Sequence, residues 1–154
     1  MKKSIFYYLF AVVCTVCIFT ACSDDDDDDN KSSLTVDNIV GTYNGTLKIV
    51  ALNQSVQAPV TVGKVSDSKI TIGVTNLTVM GITVDPINVE CNIQKDADGN
   101  ELDIAGSGVA KISNLGEFPV AITGDANSKE LDIDIVVTEI PALGTLKVEF
   151  EGTK

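Results

Sequence analysis

The feature that most constrains this chain is an alternation of apolar and polar residues that recurs from residue 46 to residue 151. In the two cleanest segments, 131–135 and 146–151, Leu, Ile, Val or Phe occupies every second position, and Asp, Lys or Glu lies between. A period of two over β-branched residues is typical of half-buried β-strands. Shorter or weaker segments of the same kind predict further strands at 46–51, 60–62, 70–75, 77–79, 82–84, 87–93, 102–104 and 118–123.

Clusters of turn-forming residues separate these segments, at 66–68, 96–100, 114–116, 124–127 and 142–144. No stretch after residue 33 holds a 3.6-residue apolar stripe long enough to predict a helix. Eight or so short strands joined by tight turns predict an all-β fold, as an antiparallel barrel or a sandwich.

Two details favour the barrel. The segments Gly45–Ile49 and Gly144–Val148 are alike, and similar first and last strands would suit edge-to-edge closure. The four prolines fall near predicted strand beginnings or breaks, where a missing N–H donor costs little. We therefore expect an antiparallel barrel of about eight strands over residues 34–154.

The first 21 residues have the layout of a secretory signal peptide. Lys2 and Lys3 precede an uncharged apolar stretch, 5–20, and the small residue Ala21 follows it. This stretch of about 16 residues is shorter than the roughly 20 that a membrane-spanning helix needs. We predict a cleaved signal over residues 1–21.

The residues around Cys22 resemble the bacterial lipobox, although Phe19 stands where that motif usually has Leu. The resemblance implies a diacylglycerol thioether on Cys22 and a further acyl chain, such as palmitate, on the newly exposed amine. Several acyl chains together would make membrane attachment effectively permanent. An ordinary signal peptide that happens to end near a Cys is the alternative.

Ser23, Asp24, Asp25 and Asp26, within a run of acidic residues that continues to Asp29, resemble the export signal of surface lipoproteins in gut Gram-negative bacteria. Because adjacent carboxylates repel one another and bury nothing, we expect residues 22–33 to form a disordered acidic tether. The resemblance implies transfer to the outer face of the outer membrane. A simple spacer or a cation-binding tail would use the same residues.

Charge excludes nucleic acid and anionic lipid surfaces as favourable partners. After removal of residues 1–21, the chain has 9 lysines and no Arg against 22 acidic residues, so no basic patch is available.

The chain contains no His, Arg or Trp, and these absences bear most strongly on catalysis. Without His, neither a Ser-His-Asp nor a Cys-His arrangement forms, and the usual zinc, copper and haem ligands are missing. We therefore expect no enzyme activity, no metal site and no cofactor. With Cys14 and Cys17 in the signal and Cys22 lipidated, Cys91 is the one remaining thiol, and its alternating neighbours predict a buried small apolar residue.

The opening Gly41–Gly45, together with the segment 118–124 and the ending 148–152, resembles the calycin-like β-barrel domain of surface lipoproteins from the same bacterial group. The resemblance covers roughly residues 39–154. It implies an eight-stranded up-and-down barrel related in shape to lipocalins, with no established enzymatic activity.

Three further groups of residues could each form a functional site, but each also has a simpler structural explanation. Asp96, Asp98, Asn100 and Glu101 carry oxygen ligands that could suit Ca²⁺, but a plain hairpin turn explains them equally well. The pair Asp132 and Asp134 could serve a glycosidase, yet both are expected on the outer, solvated face of a strand, where nothing would raise a pKa. Tyr43 is expected to be a core or barrel-end aromatic residue.

Two functions remain compatible with these residues. The first is a lipid-anchored, surface-displayed binding module for an extracellular protein or small molecule. The second is a carrier that holds a small apolar molecule inside the barrel, since eight strands leave room for filling side chains or one small ligand.

Overall fold

The computed structural model describes residues 33–154, apart from Asn76, Met80 and Ala142. By its contacts, Ser32–Lys154 is a compact unit in its own right. The secondary structure begins with the helix α1 (Val36–Ile39), and a 3₁₀ turn lies at Val50–Leu52. The strands are β1 (Gly41–Ile49), β2 (Gln54–Ser66), β3 (Lys69–Val74), β4 (Leu77–Val79), β5 (Ile82–Val84), β6 (Ile87–Lys95), β7 (Leu102–Ile112), β8 (Gly116–Ala126), β9 (Glu130–Ile140) and β10 (Gly144–Thr153).

Eight of these strands form a closed antiparallel barrel with up-and-down connectivity, which confirms the predicted fold class. Around the barrel the order is β1, β2, β3, β6, β7, β8, β9 and β10, and β10 pairs with β1 to close it. Closure leaves no free sheet edge among these strands.

The strands β4 and β5 form a small hairpin inserted between β3 and β6. The hairpin attaches to the end of β7, where Val84 is the register partner of Ile112. The sequence alternation predicted both strands, but it did not indicate that they lie outside the barrel's closed ring.

The barrel interior is the hydrophobic core. Apolar residues at alternate positions of all eight strands are buried, and Val36 and Ile39 of α1 join the same cluster. Within the described part of the chain, no polar or charged residue is buried. As the alternation predicts, every second side chain points into the barrel and the polar side chains between them point outward.

Closure brings β1 and β10 very close at a pair of glycines, Gly45 and Gly152, which are register partners. A Cβ atom on Gly45 would lie 2.1 Å from the carbonyl oxygen of Glu151. Only glycine allows the two backbones to approach this closely. The predicted pairing of the first and last strands is confirmed, and these glycines are part of its cause.

One predicted turn was wrong in its position. Gly124, Asp125 and Ala126 were expected in a turn, but they continue β8, which ends at Ala126. Gly124 has a φ of 157° and pairs with Ile133, so the strand continues through this residue. Glycine and Asp are common in turns, and the local sequence did not reveal that β9 would pair with these residues.

Candidate functional site

The predicted signal peptide (1–21), the lipidation site Cys22 and the export residues Ser23, Asp24, Asp25 and Asp26 lie outside the described residues. The candidate sites that the structure does describe are the two ends of the barrel and its outer wall.

The helix α1 packs on one end of the barrel, which we call the α1 end. Lys64 Nζ lies 2.9 Å from a carboxylate oxygen of Asp37 in α1. Lys154 Nζ donates hydrogen bonds to the carbonyl oxygens of Asn38 (2.6 Å) and Val40 (3.0 Å). Lys64 from β2 and Lys154 from the chain end thus hold the short helix in place.

Tyr43 lies beneath α1 and is fully buried. Its hydroxyl donates to the carbonyl oxygen of Ile39 at 2.8 Å, and the carbonyl oxygen of Asn127 lies 3.3 Å away. Burial raises the pKa of Tyr43 to about 12, so the hydroxyl keeps its proton and remains a donor. Lys154 Nζ lies 5.2 Å from the centre of the Tyr43 ring, within cation–π range. The prediction of a barrel-end core aromatic is confirmed.

A concavity of about 370 Å³ lies beside α1 at the same end. Leu34, Val36, Ile93 and Leu102 form its apolar lining, and Asp37 and Lys95 are among its polar residues. Its size falls in the range of about 300–1,000 Å³ that is typical of small-molecule sites.

The loop 96–101 between β6 and β7 uses its leading carboxylate to close itself. Asp96 Oδ1 accepts hydrogen bonds from the backbone N–H groups of Asn100 (3.0 Å) and Glu101 (3.3 Å). Its backbone also pairs with Glu101, through Asp96 N–H to the Glu101 carbonyl at 3.1 Å. These contacts are those of a hairpin turn, the simpler of the two readings of this segment.

Cys91 lies on the inward face of β6 and is fully buried. Burial raises the pKa of its thiol to about 11, which keeps it protonated and poorly nucleophilic. The prediction of a buried small apolar residue is confirmed.

The outer wall carries a row of four carboxylates on four neighbouring strands, which we call the acidic row. Asp103 on β7 pairs in register with Asp125 on β8, and Asp125 pairs with Asp132 on β9. Asp132 in turn pairs with Glu151 on β10. Like charges directly opposite one another across a sheet are destabilising. Alternation identified the outward face but not the register, so the sequence did not indicate that these residues meet.

The pKa values of three members of the acidic row are raised. For Asp125 the pKa is about 6, first because the side chain is partly buried and then because of the negative charges of Glu101, Asp132, Asp103 and Asp96. Partial desolvation, followed by neighbouring carboxylates, also raises the pKa of Asp103 and of Asp132. The expectation that nothing would raise a pKa at Asp132 was therefore wrong, because its side chain is partly buried and because Glu151 and Glu149 on β10 and Asp134 on its own strand add negative charge.

The next outward row, two residues further along the strands, comprises Asp134, Glu149 and Lys48, and Lys147 reaches it from two residues further along β10. Lys147 Nζ lies 3.0 Å from a carboxylate oxygen of Asp134 and 3.1 Å from one of Glu149. Lys48 Nζ lies 3.8 Å from Glu149. Because Asp134 is engaged by Lys147 while Asp132 is not, the two carboxylates of the pair considered for a glycosidase have different surroundings.

The opposite end of the barrel, which we call the far end, carries exposed apolar side chains. They are Val50 and Leu52 after β1, Leu115 between β7 and β8, and Leu143 between β9 and β10. The connections at the α1 end are instead polar, with charged residues in each one.

In residues 33–154, less the three that the structure leaves out, no helix is long and apolar enough to cross a membrane. No group of three or more His, Cys, Asp or Glu side chains in the same part is arranged to hold a metal ion.

Comparison with known proteins finds similarity at the level of fold. No protein-family model matches the chain, and no curated protein sequence matches it. The structure is similar to that of a Bacteroides fragilis protein provisionally described as an outer membrane protein, with a TM-score of 0.54 and 14% identity. The match covers 77% of this chain and 52% of that one, so the chain spans about half the length of that protein.

The barrel EF1p2_mFAP2b, whose structure contains bound DFHBI, is also similar, with a TM-score of 0.52 and 15% identity. The match covers 79% of this chain and 98% of that barrel. At these identities the comparisons show a shared barrel fold.

Proposed function

We propose that this protein is a lipid-anchored, surface-exposed lipoprotein of the calycin-like barrel type, and that it acts as a non-catalytic binding module. The observation that carries the proposal is a closed barrel whose interior is filled by its own apolar side chains. Such an interior leaves the outer wall and the loops as the surface for recognition. The similarity to a protein described as belonging to the outer membrane supports the localisation.

The anchor rests on Ala21 and Cys22, which follow the apolar stretch 5–20. We expect the protein purified from its native membrane to begin at Cys22 and to carry acyl chains there. Mass spectrometry of the N-terminal peptide tests this directly. In a Cys22→Ser variant, the signal peptide should remain uncleaved or the acyl mass should be absent. An unmodified N-terminal peptide from the unaltered protein would contradict the anchor.

Surface exposure rests on Ser23 and the aspartates that follow it. Protease added to intact cells should remove the barrel from the unaltered protein. Replacement of Asp24, Asp25 and Asp26 with Ala should protect it, because the export signal is lost while the anchor remains. A matched change of Asp27, Asp28 and Asp29 to Ala should have a smaller effect. Equal protection of all three proteins would contradict surface export.

For binding, the polar loops of the α1 end are the surface that we expect a partner to contact. A photo-cross-linking residue at Asp98 should give a discrete adduct on intact cells, whereas one at Lys111, on the wall near the far end, should not. Asp98 and Lys111 are both exposed, so accessibility to the reagent is matched. The absence of any discrete adduct at Asp98 would contradict a protein partner at this end.

The apolar core that fills the barrel counts against a carrier that holds its molecule inside, and the concavity beside α1 instead favours, as a second candidate function, a carrier that holds a small apolar molecule there. The similar barrel EF1p2_mFAP2b is a precedent for a small molecule bound by this fold. Native mass spectrometry of residues 22–154, after incubation with host-cell extract, should show a mass increment that disappears on denaturation. Ile93→Asp should abolish the increment and Val109→Asp, on the outer wall, should not. An unchanged mass throughout would contradict the carrier.

A further inference from the structure

Exposed apolar side chains are concentrated toward one end of the barrel. Six large apolar residues of the described chain are exposed: Val50, Leu52, Val65, Val109, Leu115 and Leu143. Four of them lie in the connections at the far end, and Val109 lies on β7 three residues before that end. Val65, near the α1 end, stands alone. Single exposed apolar residues need no explanation, but a cluster marks an interaction surface.

Charge follows the opposite distribution. The three direct connections at the far end, residues 50–53, 113–115 and 141–143, contain no charged residue. At the α1 end each connection contains at least one, with Asp67, then Asp96, Asp98 and Glu101, and then Lys129. These three connections are therefore uncharged in a domain that is strongly acidic elsewhere, and at the same end only the connection with the β4–β5 hairpin, residues 75–86, contains a charged residue, Asp85.

We propose that the far end rests on the apolar layer of the bilayer to which the chain is tethered, so that the α1 end and its polar loops point away from the membrane. This inference deepens the proposed function and rests on the anchor at Cys22. A few half-exposed side chains bind a bilayer too weakly to act alone, because even one myristoyl chain gives only marginal attachment. Their effect in an anchored protein is to set orientation.

The length of the segment before the barrel allows this arrangement. Strands of about ten residues, tilted by about 40°, give a barrel roughly 25 Å long. The segment from Cys22 to Ser33 has eleven residue intervals and spans at most about 38 Å. Cys22 and the far end can therefore reach the same bilayer, although Ser33 joins the barrel at the α1 end.

A second copy of the chain fits the far end less well. Eight strands about 4.8 Å apart give a barrel end of only a few hundred Å². A stable protein interface buries about 800 Å² on each partner. A bilayer has no such area requirement.

The charges around the far end predict which lipids it accepts. Asp85, Glu117 and Glu139 lie close to the far-end connections, and Lys111 is the register partner of Glu117. The excess of carboxylates predicts contact with zwitterionic lipid and repulsion from anionic lipid.

The chain contains no Trp, so a single introduced Trp reports the depth of one position. Residues 22–154 would be coupled through Cys22 to a maleimide lipid in phosphatidylcholine vesicles with brominated acyl chains, since buried Cys91 does not compete for the maleimide. In the Leu143→Trp protein, we expect the brominated chains to quench the fluorescence of the introduced Trp by half or more. The matched Val65→Trp, at 50% exposure against 52% for Leu143, should be unquenched.

Adding Leu52→Asp and Leu115→Asp to Leu143→Trp should restore most of the fluorescence, and replacement of half the lipid with phosphatidylglycerol should do the same. Equal quenching of the Leu143→Trp and Val65→Trp proteins would overturn the orientation, as would stronger quenching in anionic vesicles. If the protein forms dimers in the absence of vesicles, and if these dimers require Leu115 and Leu143, a second copy of the chain would be the occupant of the far end. Chemical coupling supplies the anchor in this assay, so the result does not depend on whether cells acylate Cys22.

Discussion

At the residue scale, the alternation in the sequence distinguishes inward from outward side chains but does not identify their individual partners. Tyr43 and Cys91 were expected in the core, and both are fully buried. What the sequence did not indicate for Tyr43 is that its hydroxyl would bond to α1 and that Lys154 would lie over its ring. The first contact joins residues four apart in the chain, whereas the second depends on barrel closure, which brings the end of the chain beside β1.

The Tyr43 hydroxyl should contribute measurably to stability. Tyr43→Phe keeps the ring under Lys154 but removes the donor to the Ile39 carbonyl, so we expect a loss of about 1 kcal/mol in the free energy of unfolding. Urea denaturation of residues 22–154 measures it. Tyr43→Ala, which also leaves a cavity, should cost about 3 kcal/mol or more. Equal stability of the unaltered protein and Tyr43→Phe would show that the hydrogen bond contributes nothing net.

At the element scale, register decides which charges meet. Each strand carries its acidic residues on the solvated face, as the alternation predicts, but the acidic row exists only because β7, β8, β9 and β10 pair without offset at that level. The next row contains Lys48 beside Asp134 and Glu149, and Lys147 reaches both carboxylates from two residues further along β10. The carboxylates of the acidic row therefore repel one another, whereas those of the next row are paired with lysines.

The acidic row should make the barrel more stable in mild acid than at neutral pH. The folded-state pKa of Asp125, about 6, lies above the ordinary value of 3.8 for an Asp side chain, so the folded protein binds more protons between these pH values. Stability from this group is complete below about pH 4 and is lost as the pH rises through 6. The chain has no His, which usually titrates in this range. Denaturation at pH 5.5 and 7.5 should show the greater stability at pH 5.5.

Asp125→Asn should raise the free energy of unfolding at pH 7.5 by about 1 kcal/mol, a figure well below the full effect of the shift because the side chain is half-exposed. It should also flatten the pH dependence. Asp134→Asn is the matched control, since it removes the partner of Lys147 and should give no stabilisation. An unaltered pH dependence in Asp125→Asn would show that other groups cause it.

At the scale of the whole molecule, closure depends on a backbone contact that only glycine permits. We expect Gly45→Ala to cost about 2 kcal/mol or more, because its Cβ would meet backbone atoms of Glu151 and Gly152 that cannot move without opening the β1–β10 pair. Gly63→Ala is the control, since its Cβ would meet only the Thr71 hydroxyl, which can rotate. Equal stability of the two variants would show that the closure tolerates a side chain at Gly45.

The prolines show which part of a sequence-based prediction holds in the folded barrel and which does not. Pro59 and Pro119 lie within β2 and β8, not at strand ends, yet each occupies a stretch that pairs with a neighbour on one side only. Proline has no N–H to donate, so it should lie where no neighbouring strand needs that hydrogen bond. This rule was correct. Pro86 and Pro141 lie in breaks between strands, as expected, but Pro59 and Pro119 do not, because the staggered register of the barrel leaves one-sided stretches inside long strands.

The sequence alone determined the all-β class, the inward and outward faces, most of the turns and the partnership of the first and last strands. These follow from local patterns, since side-chain period and turn chemistry act over a few residues. Only the tertiary structure decided the acidic row, the apolar far end and the contacts that hold α1. These depend on the register and direction of strands distant in sequence, and no local pattern carries that information.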